Sequence, residues 1–376
     1  MTATGERRAS STDAAILEMV RRRTETTRVE IARELGVTPA TVTYAVKRLM
    51  AAGLLVETGL ARSNGGKRAS LLRLNNRARR AIGCTIEADR LSMVGVDMTG
   101  ALRSRVVLPL APDASPAAVS AVLRDALETM EPDRDPHSTT GIGFATPVRA
   151  DGRGEELLAA VTGDLAFPTT SADASTCAAL GSFWSGEQPE HGMTATVHMD
   201  DRLGLTILRD GQPLESAPGA TLDHVCVDPH GPPCSCGAAG CLTRYASPGA
   251  IRDAAAEDDG LAGPALTSDV VRIALAATRG DPRALSVLDD AFTALARATW
   301  TITSAVGIRA VVFSGAGIQA APGLLHATAG RYLAERSHAT GIPLDVAVSQ
   351  VQPHPGAVGA AVLALQTFME PGGQQR

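Results

Sequence analysis

Long apolar runs are missing from this 376-residue chain, and so is a secretory leader. No stretch approaches the ~18 apolar residues of a membrane span. The N-terminal MTATGERRASST is polar and lacks the hydrophobic region of a secretion signal. Cysteines number only six. Without a leader, that count points to a reducing cytoplasm and away from a disulfide scaffold. Aromatic residues make up 3% of the chain, a scarcity from which no function follows. The remaining composition, 44% hydrophobic and 20% charged, is that of a soluble globular protein. Its length suits two or three domains.

Charge is present but unevenly spread. The net value is −5, yet residues 1–81 carry 16 basic and 7 acidic side chains, a balance of +9. The remainder stands at −14. A basic head on an acidic body suggests that only the head meets a polyanion.

The pattern within the head supports that reading. Residues 12–23 space Ile16, Leu17 and Val20 at helical intervals, with Asp13 near the start and three arginines at the end. A second helix is expected over Val29–Leu35, closed by Gly36. Thr38 is then a good N-cap and Pro39 a good first helical residue. Val42, Val46 and Leu49 form the buried stripe of this third helix. IARELGVTPATVTYAVKRL thus reads as a helix-turn-helix. Two strands, 53–57 and 69–74, flank a Gly-rich basic tip holding Arg62, Lys67 and Arg68, which reads as a wing. The expected partner is a double-stranded DNA operator. Thr41, Thr43 and Tyr44 are expected at base edges, with Thr38 at the helix start and Lys47, Arg48 and the wing on phosphate. Residues 75–80 (NNRARR) read as a polar linker, which places a DNA-binding domain at 1–80 and a second unit at 81–376.

His224, Cys234, Cys236 and Cys241 fall within eighteen residues, spaced by Gly237 and Gly240. Three thiols and an imidazole suit tetrahedral zinc, and four protein ligands leave no open position for a reactive water. A structural Zn2+ is therefore expected. A disulfide would leave an odd thiol in the cluster. Cys226, two residues from His224, reads as a buried small side chain, with a substitute ligand as the alternative.

Beyond residue 80, strands are expected at 81–86, 92–97, 103–108, 141–145, 195–199, 203–209 and 310–314. Helices are expected at 116–130, 174–184, 270–278, 282–306 and 355–369. Gly315-Ala316-Gly317 reads as a loop able to approach a phosphate. The alternation suggests a two-lobed α/β body with a cleft.

GIGFATPVRADG, HVCVDPHGPPCSCGAAGCLTRYAS and VVFSGAG, behind a winged helix, resemble the ROK family of repressors, open reading frames and kinases. The resemblance spans nearly the whole chain. It implies an N-terminal winged helix-turn-helix followed by an actin-like, ribonuclease-H-like body with a zinc loop, the last helix returning to the first lobe. It places His224, Cys234, Cys236 and Cys241 at the zinc-ligand positions. It also implies a homo-oligomer, dimer or tetramer.

The family divides into sugar kinases and repressors. Kinases carry a DxGGT turn after the first strand; here that stretch is Gly83-Cys84-Thr85-Ile86-Glu87-Ala88-Asp89-Arg90. The family's Asn-Asp pair falls, ungapped, on Asp173 and Ala174, and a one-residue shift would make Asp173 the carboxylate. Two glutamates of the sugar site become Thr221 and Thr243. His224 remains. A pocket at Asp173, Thr221, His224 and Thr243 is therefore short of acceptors for a typical hexose. The expectation is a regulator, a repressor in the first instance, with no enzymatic activity and with a pocket that either senses nothing or takes an effector other than a typical hexose. Two alternatives stand beside it: an ATP-dependent sugar kinase with an added head, and a regulator that senses no ligand.

Overall fold

The computed structural model describes residues 11–61, 68–87, 89–111, 114–130, 138–146, 153–163, 165–200, 202–214, 221–256, 267–351 and 354–370. Arg62 and Lys67 of the wing tip lie outside these residues.

The head comprises α1 (Ser11–Arg23), β1 (Thr26–Thr27), α2 (Arg28–Leu35), α3 (Pro39–Ala51), β2 (Leu55–Leu60) and β3 (Ser70–Leu74). Thr27 starts α2 through a reciprocal capping box with Glu30, and Gly36 ends it at φ 63°. Thr38 caps α3 by accepting from the Thr41 amide, and Pro39 follows as the first helical residue. Val42, Ala45, Val46 and Leu49 face the head's core. β1, β3 and β2 form a small sheet in that order. The two-residue β1 has no sequence signal, because pairing with Leu71 and Leu72 alone makes it a strand.

The body holds two five-stranded sheets of matching topology. In the first, β4 (Arg80–Ile86), β5 (Arg90–Asp97) and β6 (Leu102–Pro109) form an antiparallel meander. Helix α4 (Pro116–Met130) leads to β7 (Thr139–Thr146), parallel to β4; α5 (Arg153–Thr162) leads to β8 (Thr169–Asp173), parallel to β7. Helix α6 (Ala174–Trp184) then crosses to the second sheet. There β9 (Met193–Met199), β10 (Leu203–Arg209) and β11 (Gln212–Pro213) form the meander.

A cysteine-rich segment and helices α7 (Thr243–Ala246), α8 (Pro248–Ala255), α9 (Thr267–Thr278) and α10 (Pro282–Val306) precede β12 (Ala310–Ser314), parallel to β9. Helices α11 (Ala316–Ala320), α12 (Pro322–Leu325) and α13 (Arg331–Thr340) lead to β13 (Asp345–Val348), parallel to β12. Helix α14 (Pro355–Met369) returns to the first sheet. It lies nearly flush on it: a Cβ at Gly83 or Gly143 would sit 1.8 Å from the carbonyl oxygen of Ala357 or Ala360.

Several elements unread in the sequence are edge or surface pieces. β8 (TTSAD) and β13 (DVAV) are sheet edges with no fully buried residue. α13 buries only Leu333. Edge strands escape the need for a continuous apolar run. Apolar packing is continuous from Ile16, Leu17 and Val20 of the head to Phe183, Trp184 and Val362 of the first lobe. The second lobe has its own core around Phe292, Leu295 and Phe313.

Candidate nucleic-acid interface, metal centre and interlobe cleft

Helix α3 presents Thr41, Thr43, Tyr44, Lys47 and Arg48 on its exposed side. Tyr44 is 69% exposed, unusual for so large a ring. The Thr43 hydroxyl donates back to the Pro39 carbonyl at 2.8 Å, and the Thr38 and Thr41 hydroxyls lie 2.9 Å apart. Arg48 is placed differently from its neighbours. Its guanidinium binds the buried Asp13 of α1 at 2.6 Å and 3.3 Å. Part of its charge is thereby committed to the fold.

Other head arginines are held the same way: Arg21 and Arg22 by Glu18, Arg23 by Glu34, Arg28 by Glu57 and Arg73 by Glu25. Lys47 and Arg68 are exposed and form no ion pair among the described residues.

The metal-type cluster is assembled by backbone bonds. The Cys234 amide donates to the Ala238 carbonyl and Gly237 closes back on Cys234, which wraps the loop around Cys236. Leu242 and Val227 pair with Val225 and Gly240, which brings Cys241 alongside. Gly240, at φ 63°, is indispensable: a Cβ there would meet the Asp228 carbonyl oxygen at 1.5 Å. His224 Nδ1 lies 3.5 Å from Cys234 Sγ, and Cys236 Sγ 3.6 Å from Cys241 Sγ.

All four donor atoms fall within 4.8 Å of one another, and no disulfide joins them. The group could hold a metal ion. The Cys236 amide and neighbouring thiols hold the Cys234 thiol near a pKa of about 6, so a thiolate is available to a cation. Burial, with the adjacent sulfurs, pushes Cys241 up to about 12. Cys226 stands outside the cluster, and it is exposed, its Sγ 3.6 Å from the Ala239 carbonyl. The expected buried position was wrong because the loop turns its outer strand to solvent.

The predicted ligand residues Asp173, Thr221 and His224 make side-chain contacts within the fold. Asp173 caps α6: its carboxylate accepts from the Ser175 hydroxyl at 2.5 Å, the Thr176 amide at 2.9 Å and the Thr176 hydroxyl at 2.6 Å. Thr221 donates to the Leu203 carbonyl and accepts from the Asp223 amide. Thr243 begins α7 with its amide on the Asp223 carbonyl. His224 turns toward the thiols.

A second set of charges in the cleft was not read from the sequence. His198, at the end of β9, is buried, with Nε2 2.7 Å from Asp200 Oδ2. Burial disfavours its protonation, but the Asp200 carboxylate overrides this and holds its pKa above the usual value. Asp200 also accepts from the Ala316 amide at 3.4 Å. Gly315-Ala316-Gly317 enters α11, and the Asp200 carboxylate sits at its first amide.

Arg90 is flanked by Glu87 and by Asp89 at 3.2 Å, and Asp89 accepts from Ser268 of the opposite lobe at 2.9 Å. The signal was a run of charge, His198 to Arg202, interrupting a β-hairpin of buried residues.

Residues 138–367 match the ROK family, and residues 10–56 match a winged helix-turn-helix DNA-binding domain. The chain belongs to the ROK family. Over 63% of its length it is 23% identical to the xylose repressor of Bacillus subtilis (strain 168), and the match spans 65% of that repressor. It is 30% identical to the N-acetylmannosamine kinase of Escherichia coli O157:H7, over 73% of this chain and 93% of the kinase.

Among solved structures, it is similar to a ROK family transcriptional regulator, a homologue of the E. coli MLC protein. The TM-score is 0.71 at 19% identity, covering 95% of this chain and 96% of that one. A ROK glucokinase from Streptomyces griseus in complex with glucose and AMPPNP aligns with TM-score 0.62 at 22% identity, over 76% of this chain and 99% of the kinase. These likenesses establish the ROK fold. No helix among the described residues is long and apolar enough to cross a membrane.

Proposed function

We propose that this ROK protein is a cytoplasmic DNA-binding transcriptional regulator, a repressor acting as a homodimer or homotetramer on a double-stranded operator. The exposed face of α3 carries the reading. Thr41, Thr43 and Tyr44 address base edges in a major groove, with Thr38 at the helix start. Lys47 and the wing residues Arg62, Lys67 and Arg68 sit on phosphate. Arg48 contributes mainly by anchoring α3 to α1. Electrophoretic shifts with duplexes enriched from a random pool test the assignment. Affinity should fall steeply with salt as counterions are released. Binding that ignores salt would overturn it.

The metal is zinc and its role is structural. Tetrahedral Zn–S bonds of ~2.3 Å place sulfurs about 3.8 Å apart, close to the 3.6 Å between Cys236 and Cys241. Three thiolates and an imidazole would fill the sphere and leave the ion no catalytic position. Metal analysis should find one zinc per chain.

The body is not a kinase, and its effector is not a typical hexose. A kinase needs amides and cations on the ATP phosphates. Here Asp200 occupies the first amide of α11, and Glu87 and Asp89 flank Arg90. At the sugar end, the Asp173 and Thr221 oxygens are already engaged within the fold. Calorimetry with glucose, N-acetylglucosamine or xylose should give no binding tighter than roughly millimolar, about −4 kcal/mol. A micromolar hexose, or ATP turnover in its presence, would restore the kinase reading.

A further inference from the structure

Helix α6 connects the two functional ends of the molecule. Its first residues are capped by Asp173 in the cleft, and its last, Trp184, lies under the DNA-binding head. Eleven residues make it a rod about 16 Å long. The Arg21 guanidinium of α1 stacks on the Trp184 ring, 4.0 Å from its centroid, and Arg22 lies 5.9 Å from Phe183. Glu18 holds both cations in place: Arg21 through two bonds of 2.7 Å and 2.8 Å, Arg22 through one of 2.7 Å. The Arg21 side chain is only 7% exposed, so this cation–π contact is largely withdrawn from water, where it is strongest.

The clamp extends to the recognition helix. The helix that carries Arg21 also carries Asp13, whose carboxylate grips Arg48 of α3. On the body side, the turn at Gly100 packs against the same indole: a Cβ there would lie 3.2 Å from Trp184 Cε3. Beside the clamp the junction is not filled. A cavity of about 530 Å³ opens at one side of the junction, lined by Val20, Arg21 and Arg73 of the head and Phe183, Trp184 and Gln188 of the body. Close packing alone does not set the angle on that side. The Trp184 Nε1 group is buried with no hydrogen-bond partner among the described residues.

We infer that Trp184 is a positioning residue for DNA recognition: through Arg21 and the Asp13–Arg48 pair it fixes the angle at which the body presents α3. This rests on the DNA-binding, oligomeric reading given above. A head that tilts freely still meets phosphates, but two such heads cannot hold their recognition helices in register on one operator.

The test uses the full chain and two duplexes, one enriched by the wild-type protein from a random pool and one of mixed sequence. Trp184→Ala should weaken the enriched duplex by roughly tenfold, the scale of one buried cation–π contact. Affinity for the mixed duplex and the slope of log K against log salt should stay unchanged. Trp184→Phe, which keeps an aromatic face, should recover most of the loss. Arg21→Gln should mimic Trp184→Ala, and the double variant should be no worse than either. Full affinity of Trp184→Ala for the enriched duplex would overturn the inference. So would an equal loss on both duplexes that Trp184→Phe does not rescue, the mark of a merely structural residue. Wild-type protein that binds neither duplex would overturn the DNA-binding reading and this inference with it.

Discussion

In the head, Asp13, Glu18, Glu25, Glu34 and Glu57 pair with arginines, whereas Arg33, Lys47, Arg68 and Arg77 face solvent and form no ion pair among the described residues. In the interlobe cleft, Glu87, Asp89 and Asp200 turn inward on Arg90 and His198, and the first amide of α11 is taken as well. The same residue types thus produce opposite surfaces. Acids that neutralise structural arginines leave selected cations free for a polyanion. Acids that crowd a cleft remove its attraction for one. The head's +9 balance already subtracts the acids that pair with its arginines, and acids turned into a cleft work against a bound polyanion.

The sharpest way to break this comparison lies outside both regions, in the loop that shapes the second lobe. Cys236→Ser should reduce metal content well below one zinc per chain and produce the largest loss of melting temperature, since structural metal binding is folding energy. Unchanged metal content and melting would remove the metal site from the account.

Next in size is the head. Lys47→Ala and Arg68→Ala should each flatten the salt slope by about 0.9, read from binding isotherms at several ionic strengths. Arg48→Ala should instead lower thermal stability, because it removes a cationic partner of the buried Asp13 carboxylate, and should leave the slope nearly intact. A slope change equal to that of Lys47→Ala would return Arg48 to the phosphate-contacting set.

Thr38→Ala removes the cap of α3 and should cost about 1 kcal/mol, measured by denaturant unfolding. The smallest effect concerns the cleft. His198 has a raised folded pKa, so its contribution is full below the ordinary value of 6.5 and is lost as pH rises through the elevated one. Asp200 is lowered, so its contribution is lost as pH falls below 3.8. Asp173 and Glu87 also face the imidazole and act in the same direction as Asp200. The melting difference between wild type and His198→Gln should therefore shrink as pH rises above neutrality. A difference that grows instead would show that the imidazole is neutral in the folded protein.

Much of the head was legible because its signals are local. Thr38-Pro39 starts a helix, Gly36 ends one, and the stripe of Val42, Val46 and Leu49 needs no knowledge of the rest of the chain. The metal cluster was legible for the same reason: its ligands lie within eighteen residues, and Gly237 and Gly240 show where the loop must turn.

The long helices α4, α10 and α14 and the buried strand β12 also declared themselves by periodicity or apolar run. What the tertiary structure decided is which charges are spent. Arg48 and Asp13 lie 35 residues apart, Ser268 and Asp89 179 apart, and Asp200 and Ala316 116 apart. A sequence shows that a residue is charged. Whether that charge faces a ligand or a buried counter-ion depends on which distant strand ends meet, and the crossing of the two sheets sets that.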